Sequence, residues 1–177
     1  MEVAILGWPP DGPKLELDWR QFPYAGKFVM TSTGKAVARD DGDIVGAIAF
    51  NEDRTDEHRG WIRYVTVRED RRGERIGSRL TAAVAGRLLE CYDTVRTGAN
   101  NPFSYQSFYR AGFGFTGETT GVAELVLDRP GDRSVGRYRD GLRRYTERDL
   151  SEKERHFVES HLEAEPPATL EVEKADN

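Results

Sequence analysis

Residues 61–90, WIRYVTVREDRRGERIGSRLTAAVAGRLLE, hold the reading that decides the fold. The first nine residues are rich in β-branched and aromatic side chains, which predicts a strand over 61–69. They run directly into an arginine- and glycine-rich turn, DRRGERIG. Beyond it Ile76, Leu80, Val84 and Leu88 recur every four residues, and Ala83 and Leu89 widen the stripe. That spacing predicts an amphipathic helix over about 75–90, packed on a sheet by its apolar face.

A strand that enters a glycine-bearing turn and then a helix aims several backbone N–H groups, and the positive end of the helix dipole, at one point beyond the strand's carboxyl end. Such a point binds an anion. In the run Arg71, Arg72, Gly73, Glu74, Arg75, Ile76, Gly77, Ser78 the two glycines let backbone approach a phosphate, and Arg72 and Arg75 add charge and paired donors. Two adjacent phosphates suit it. The turn is not a P-loop, which needs Lys after its last Gly, because Ser78 and Arg79 follow Gly77 here. It also lacks the three glycines of a dinucleotide fingerprint. Taken alone, it reads equally well as a tight connection with a solvated arginine face.

Working outward, VAIL at 3–6 reads as a short strand, and the Pro-, Gly- and aromatic-rich stretch 7–26 shows no period. Residues 35–39, the DDGD turn at 40–43 and IVGAIAF at 44–50 predict a hairpin, followed by a charged loop over 51–60. Downstream, DTVRTGA at 93–99 predicts a strand. NNPFSYQSFYRAGFGF at 100–115 predicts a helix over about 103–111 ended by Gly112, and a last hairpin has Gly117 and Gly121 near its turn. The pattern is mixed α/β. From Arg129 the composition shifts, which divides the chain into a domain at 1–129 and a charged, partly helical extension at 130–177. Two short helices are expected in the extension, then a frayed tail. Tyr138, Leu142 and Tyr145 fall on one helical face, expected to pack on the core or on a second subunit.

Composition narrows the function classes. The chain has 177 residues and a formal charge of −5, enough for a real core and one main domain. A single cysteine, Cys91, forms no internal disulfide, and the scattered His58, His156 and His161 offer no metal cluster. No stretch approaches 18 apolar residues and no basic leader opens the chain, so no membrane partner is expected and the cytoplasm is the expected location. Seven arginines between 129 and 148 invite a nucleic-acid reading. Interleaved Asp132, Asp140, Glu147 and Asp149, with the negative net charge, oppose it.

On these residues the chain resembles the GNAT superfamily of acyl-CoA-dependent N-acyltransferases. The family's pyrophosphate motif, [Q/R]xxGx[G/A] after a strand, falls on Arg72 to Gly77, with Arg75 in place of one Gly. An Arg75 in helical geometry would still donate its amide. The family's second motif, Asn, a short helix, then Tyr-x-x-Gly-Phe, falls on Asn100 or Asn101, Tyr109, Gly112 and Phe113. The resemblance implies a mixed central sheet splayed between its fourth and fifth strands, flanked by helices. It implies acetyl-CoA as co-substrate, held by Arg72, Gly73, Arg75, Ile76, Gly77, Ser78 and Asn100 or Asn101, with its pantetheine along the backbone of Val65 and Val67.

The implied reaction is direct attack of a small-molecule or peptide amine on the thioester. Tyr109 would donate to the leaving sulfur or else only pack, and the Val67 N–H would face the oxyanion. Many relatives carry Glu where this chain has Arg63, which cannot accept a proton. Glu52, Asp53, His58, Glu118 or water is then the base, and Arg63 favours an acidic acceptor. Trp8, Trp19, Phe22, Tyr24 and Phe28 line the acceptor pocket or pack as core. Dimers are common in the superfamily, so a homodimer is expected. The runner-up is a catalytically weak acyl-CoA-binding sensor or interaction module.

Overall fold

Asp41 and Gly42 both take positive φ, 49° and 86°, the conformation whose twist matches a two-residue hairpin. The strands on either side, β2 (Gly34–Asp40) and β3 (Asp43–Asp53), pair antiparallel in consequence. The computed structural model describes residues 1–176. Its remaining elements are β1 (Glu2–Gly7), β4 (Asp56–Val67), α1 (Ile76–Leu88), β5 (Thr94–Ala99), α2 (Pro102–Arg110), β6 (Gly114–Thr119), β7 (Leu125–Arg129), α3 (Val135–Thr146) and α4 (Glu152–His161). Two units divide the described chain, residues 1–95 with the tail from Glu171, and Arg96–Leu170.

The first unit orders its strands β1-β2-β3-β4, all antiparallel. The predicted stripe of α1 is buried, with Leu80, Val84 and Leu88 fully so. It packs where a Cβ at Gly46 would meet Leu80 and Ile76 at 3.1 and 3.2 Å. The opposite face of the strands carries Val37, Ala47 and Ala49 and is covered by Leu15 and Phe28. These two arrive from the aperiodic segment at 8–33, which is tied down by backbone. Gly12 N donates to Thr31 O, Leu15 N to Phe28 O and Glu69 N to Gln21 O, while the Thr66 hydroxyl donates to Pro23 O at 2.7 Å. Lys35 is fully buried there, and its ammonium donates to Met30 O, Thr33 O and Thr33 Oγ1 at 2.6, 2.9 and 2.7 Å. Burial lowers its pKa.

The charged stretch 51–60 is not a loop. β3 and β4 continue through it, because Asp53 closes a tight turn by accepting from the Thr55 N–H and hydroxyl, each at 2.9 Å, and from Arg59. Charge alone does not break a strand whose edges are solvated.

The second unit orders its strands β5-β7-β6 and carries α2, α3 and α4. Tyr105, Tyr109, Tyr138 and Tyr145 are fully buried together. Such a core is stable only if each hydroxyl finds a partner. Tyr105 donates to Tyr138 O, Tyr145 to Ala99 O and Tyr138 to Gln106 Oε1, while Tyr109 accepts from the Phe115 N–H at 2.9 Å. The apolar face of α3 is thus covered within its own unit, and the sequence argument for a second subunit on that face falls away. α3 and α4 begin at Ser134 and Ser151, whose hydroxyls cap the first turns.

The tail is not frayed. Ile5 N donates to Asp176 O at 2.7 Å, Asp176 N to Val3 O at 2.9 Å and Ala175 N to Ala83 O at 3.2 Å. β1 is the outer strand of its unit and presents open backbone groups, which the tail satisfies. Among the described residues no helix is long and apolar enough to cross a membrane.

Candidate functional site

The β4 ladder turns two residues outward. Arg68 N donates to Val45 O, and along the same register Thr66 pairs with Ala47 while Val67 pairs with Gly46 and Val65 with Ile48. Antiparallel partners alternate between bonded and non-bonded pairs. Val65 and Val67 fall on the non-bonded pairs, so their N–H and C=O groups point away from β3, along the far flank of β4. Closer to the hairpin tip the register slips. Ala49 pairs with Tyr64 and Phe50 with Ile62, which makes Arg63 the extra residue of a β-bulge.

β4 ends at Val67, and a short 3-10 turn, Glu69–Arg71, leads into the anion turn. Gly73 sits at φ +85°, and a Cβ there would meet nothing within 4 Å. Arg75 also takes the left-handed region, φ 60° and ψ 21°, as the residue that starts α1. This corrects the expectation of helical geometry, and it shows why a glycine suits that position. No side chain caps α1, and its first helical bond runs from Arg79 N to Arg75 O. The N–H groups of Ile76 and Gly77 therefore have no acceptor inside the helix. Ser78 and Ile76 are buried beneath the turn, while Arg72, Gly73, Arg75 and Arg79 are exposed around it.

Nothing in the motif spacing marks Arg71, yet it holds the turn. Its guanidinium donates to Asp40 Oδ2 and Glu74 Oε2, both at 2.8 Å. Those bonds hold both carboxyls below their usual range. Open space at Gly73, an uncapped helix start and exposed arginines fit a diphosphate. The outward groups of Val65 and Val67 fit an amide-bearing chain laid alongside β4.

In the second unit Asn101 caps α2, its Oδ1 accepting from Ser104 N at 2.8 Å and its amide donating to Asn100 Oδ1 at 2.9 Å. Tyr109 lies in the aromatic core described above, with Arg133 over its ring at 5.1 Å. Burial pushes its hydroxyl pKa up. Its side chain has no exposed surface, and its hydroxyl accepts from the Phe115 N–H.

The profile of the Acetyltransferase (GNAT) family matches residues 4–115. The chain belongs to the GNAT acetyltransferase family. Solved structures similar to this GNAT protein include a Pyrococcus horikoshii protein, 22% identical over 53% of this chain and 62% of that one, TM-score 0.45. A ribosomal-protein-alanine N-acetyltransferase of Brucella melitensis is 23% identical over 54% and 67%, TM-score 0.47. A Salmonella typhimurium protein described with acetyl-CoA as its cofactor is 16% identical over 54% and 63%, TM-score 0.47. The chain spans less than two thirds of the length of the first and third of these. No curated protein matches.

The structure sorts the candidate bases of this GNAT protein. Burial raises the Asp53 pKa, but the bonds from Thr55 and Arg59 outweigh it and the net direction is down. Asp53 is a turn-closing carboxylate. His58 is exposed beside Glu57 and Asp93, nine residues before Val67 in the same strand. At ~3.3 Å per residue that is about 30 Å from Val67 along the strand. Glu52 is exposed near the same tip, and Glu118 pairs with Arg96 at 3.6 Å in the second unit. Of the five aromatics expected at the acceptor pocket, Phe22 and Phe28 are core, Trp8 packs edge-on to Phe50, and Trp19 and Tyr24 are exposed.

Proposed function

We propose that this GNAT protein transfers an acetyl group from acetyl-CoA to the amine of a small molecule or peptide by direct attack, without a covalent enzyme intermediate. One observation carries the reading: the ladder directs the backbone groups of Val65 and Val67 away from β3 on the strand that leads into an uncapped helix start.

Acetyl-CoA, when bound, supplies the activated acyl carbon and a leaving thiolate. The chain's own contributions follow from its geometry. The N–H groups of Ile76 and Gly77, with Gly73 admitting close approach and Arg72 and Arg75 supplying charge, hold the diphosphate at the positive end of α1. The strand groups of Val65 and Val67 position the amide-bearing arm as an added strand, and the Val67 N–H is the donor available to a developing oxyanion. Ser78 supports the turn from below. Asn100 and Asn101 fix the start of α2. With no carboxylate at Arg63 and Asp53 committed to its turn, the amine loses its proton to solvent.

Thermal melting with acetyl-CoA, and with dephospho-CoA and adenosine as controls, tests the cofactor half. A ligand at about 100 times its dissociation constant adds roughly 2.7 kcal/mol, a rise of several degrees in Tm. Gly73→Val should cancel most of that rise, because its side chain enters the open space and its φ is forbidden to valine. Thiol release that depends on added amine tests the transfer half. Buried Tyr109 and cationic Arg63 favour one alternative, a GNAT-fold module that binds acyl-CoA and turns over little. Acetyl-CoA stabilisation without amine-dependent thiol release selects it.

A further inference from the structure

The outer side of β1 is only partly taken. Toward β2 its residues pair as Glu2 with Arg39, Val3 with Ala38, Ala4 with Val37 and Ile5 with Ala36. The tail lies parallel on the other side, opposite Ala4, where Asp176 N donates to Val3 O and Ile5 N donates to Asp176 O. The N–H and C=O of a strand residue point to the same side, so Val3 and Ile5 both face outward. Among the described residues the tail leaves the Val3 N–H and the Ile5 C=O without a bond. Elsewhere its hold is slight. Ala175 N donates to Ala83 O at 3.2 Å, and the Lys174 ammonium donates to Glu90 Oε1 at 2.7 Å with both side chains half exposed, a pairing that contributes little in water.

We propose that this edge binds a second copy of the chain: when the tail lifts, β1 pairs antiparallel with β1 of that copy about a two-fold axis at Ala4. In that register Val3 lies opposite Ile5. The Val3 N–H donates to Ile5 O and the Ile5 N–H to Val3 O, and the two-fold repeats both bonds. Every outward group of Val3 and Ile5 is then satisfied, whereas the tail reaches only Val3 O and Ile5 N. The side chains brought together are compatible. Ala4 meets Ala4, Val3 meets Ile5, and the two Glu2 carboxylates fall at opposite ends, so no like charges stand opposite one another. Such an interface is self-complementary and closes on itself, which consumes the exposed edge instead of extending it. The tail and the second copy use the same Val3 O and Ile5 N, so each excludes the other. The tail is therefore a guard that sets how readily the protein dimerises.

Sedimentation of full-length variants across a concentration series tests this. Lys174→Glu combined with Asp176→Pro loosens the tail, because the first sets like charges together at Glu90 and the second removes the N–H given to Val3 O. The dimer dissociation constant of that variant should fall about tenfold or more below the wild type's. Adding Val3→Pro removes a donor that neither β2 nor the tail uses, and should return the protein to monomer with its tryptophan fluorescence unchanged. Ala4→Cys with Cys91→Ser, the tail otherwise intact, reads the register directly. Residues opposite one another in a non-bonded antiparallel pair stand about 4.5 Å apart, within disulfide range, so oxidation at high concentration should give a covalent dimer, and faster when the tail is loosened. A folded, loosened variant that associates no more tightly than the wild type overturns the proposal, as does a dimer that Val3→Pro leaves intact. If the loosened variant does not fold, the Ala4→Cys protein decides alone, and its failure to form a covalent dimer overturns the proposal.

Discussion

Arg75 concentrates the tension between sequence and conformation. A non-glycine residue at φ 60° pays about 1–2 kcal/mol in sterics, and glycine would lose about 0.5–1 kcal/mol of that gain to unfolded-chain entropy. Arg75→Gly should therefore stabilise the protein by about 0.5–1 kcal/mol, visible as a small rise in the urea midpoint. If the guanidinium also contacts the diphosphate, acetyl-CoA affinity falls in the same variant. If only the amide serves, affinity holds or improves.

Tyr109 poses the converse case. Tyr109→Phe removes the acceptor of the buried Phe115 N–H, which should cost about 1–3 kcal/mol by urea unfolding, while kcat for acetyl transfer changes less than about twofold. A fall in kcat of two orders of magnitude with stability unchanged would assign Tyr109 the role of proton donor.

At the scale of elements, the junction of β4, turn and α1 depends on one cation. Arg71 bonds Asp40 and Glu74 and depresses both carboxyl pKa values in the folded state. A carboxyl depressed on folding contributes stability above its ordinary pKa and loses it as pH falls. The ordinary values are 3.8 and 4.5, so the loss begins just below the upper one and deepens through the lower. Melting curves from about pH 7 to about pH 3 should show a steeper acid decline in the wild type than in Arg71→Ala. Parallel declines would remove Arg71 from this role.

The same junction shows what the sequence makes legible. Four-residue spacing located α1 to within a residue or two, because a helix that packs on a sheet needs an unbroken apolar stripe. Asp-Gly located the first hairpin because the twist of its turn demands positive φ. The bulge at Arg63 left no sequence signal, since it depends on the register of a partner strand. The Thr55 turn lies hidden among charges, and helical spacing does not say which side of α2 enters the core, so the burial of Tyr109 is not legible in it. The bracing role of Arg71 has no local signature, because its partners lie 31 residues before it and three after.

At the scale of the molecule, each unit closes its own core and carries its own spectroscopic label. All three tryptophans, Trp8, Trp19 and Trp61, belong to the first unit, and the buried tyrosines 105, 109, 138 and 145 belong to the second. Deleting residues 171–177 removes three backbone bonds from the first unit, each worth about 0.5–1.5 kcal/mol net, and uncovers the outer edge of β1. The urea transition followed by tryptophan fluorescence should then move down by about 2–3 kcal/mol. Truncation after Arg129 is a different lesion, because it takes Tyr138, Leu142 and Tyr145 out of the second core and strips the partners from Tyr105 and Ala99. The near-ultraviolet circular dichroism of tyrosine should collapse in that truncation, which would mark α3 as part of the second unit's folding core. A truncated protein that keeps the tyrosine signal, with only its assembly state altered, would make 130–177 an appendage, as the composition shift at Arg129 first indicated.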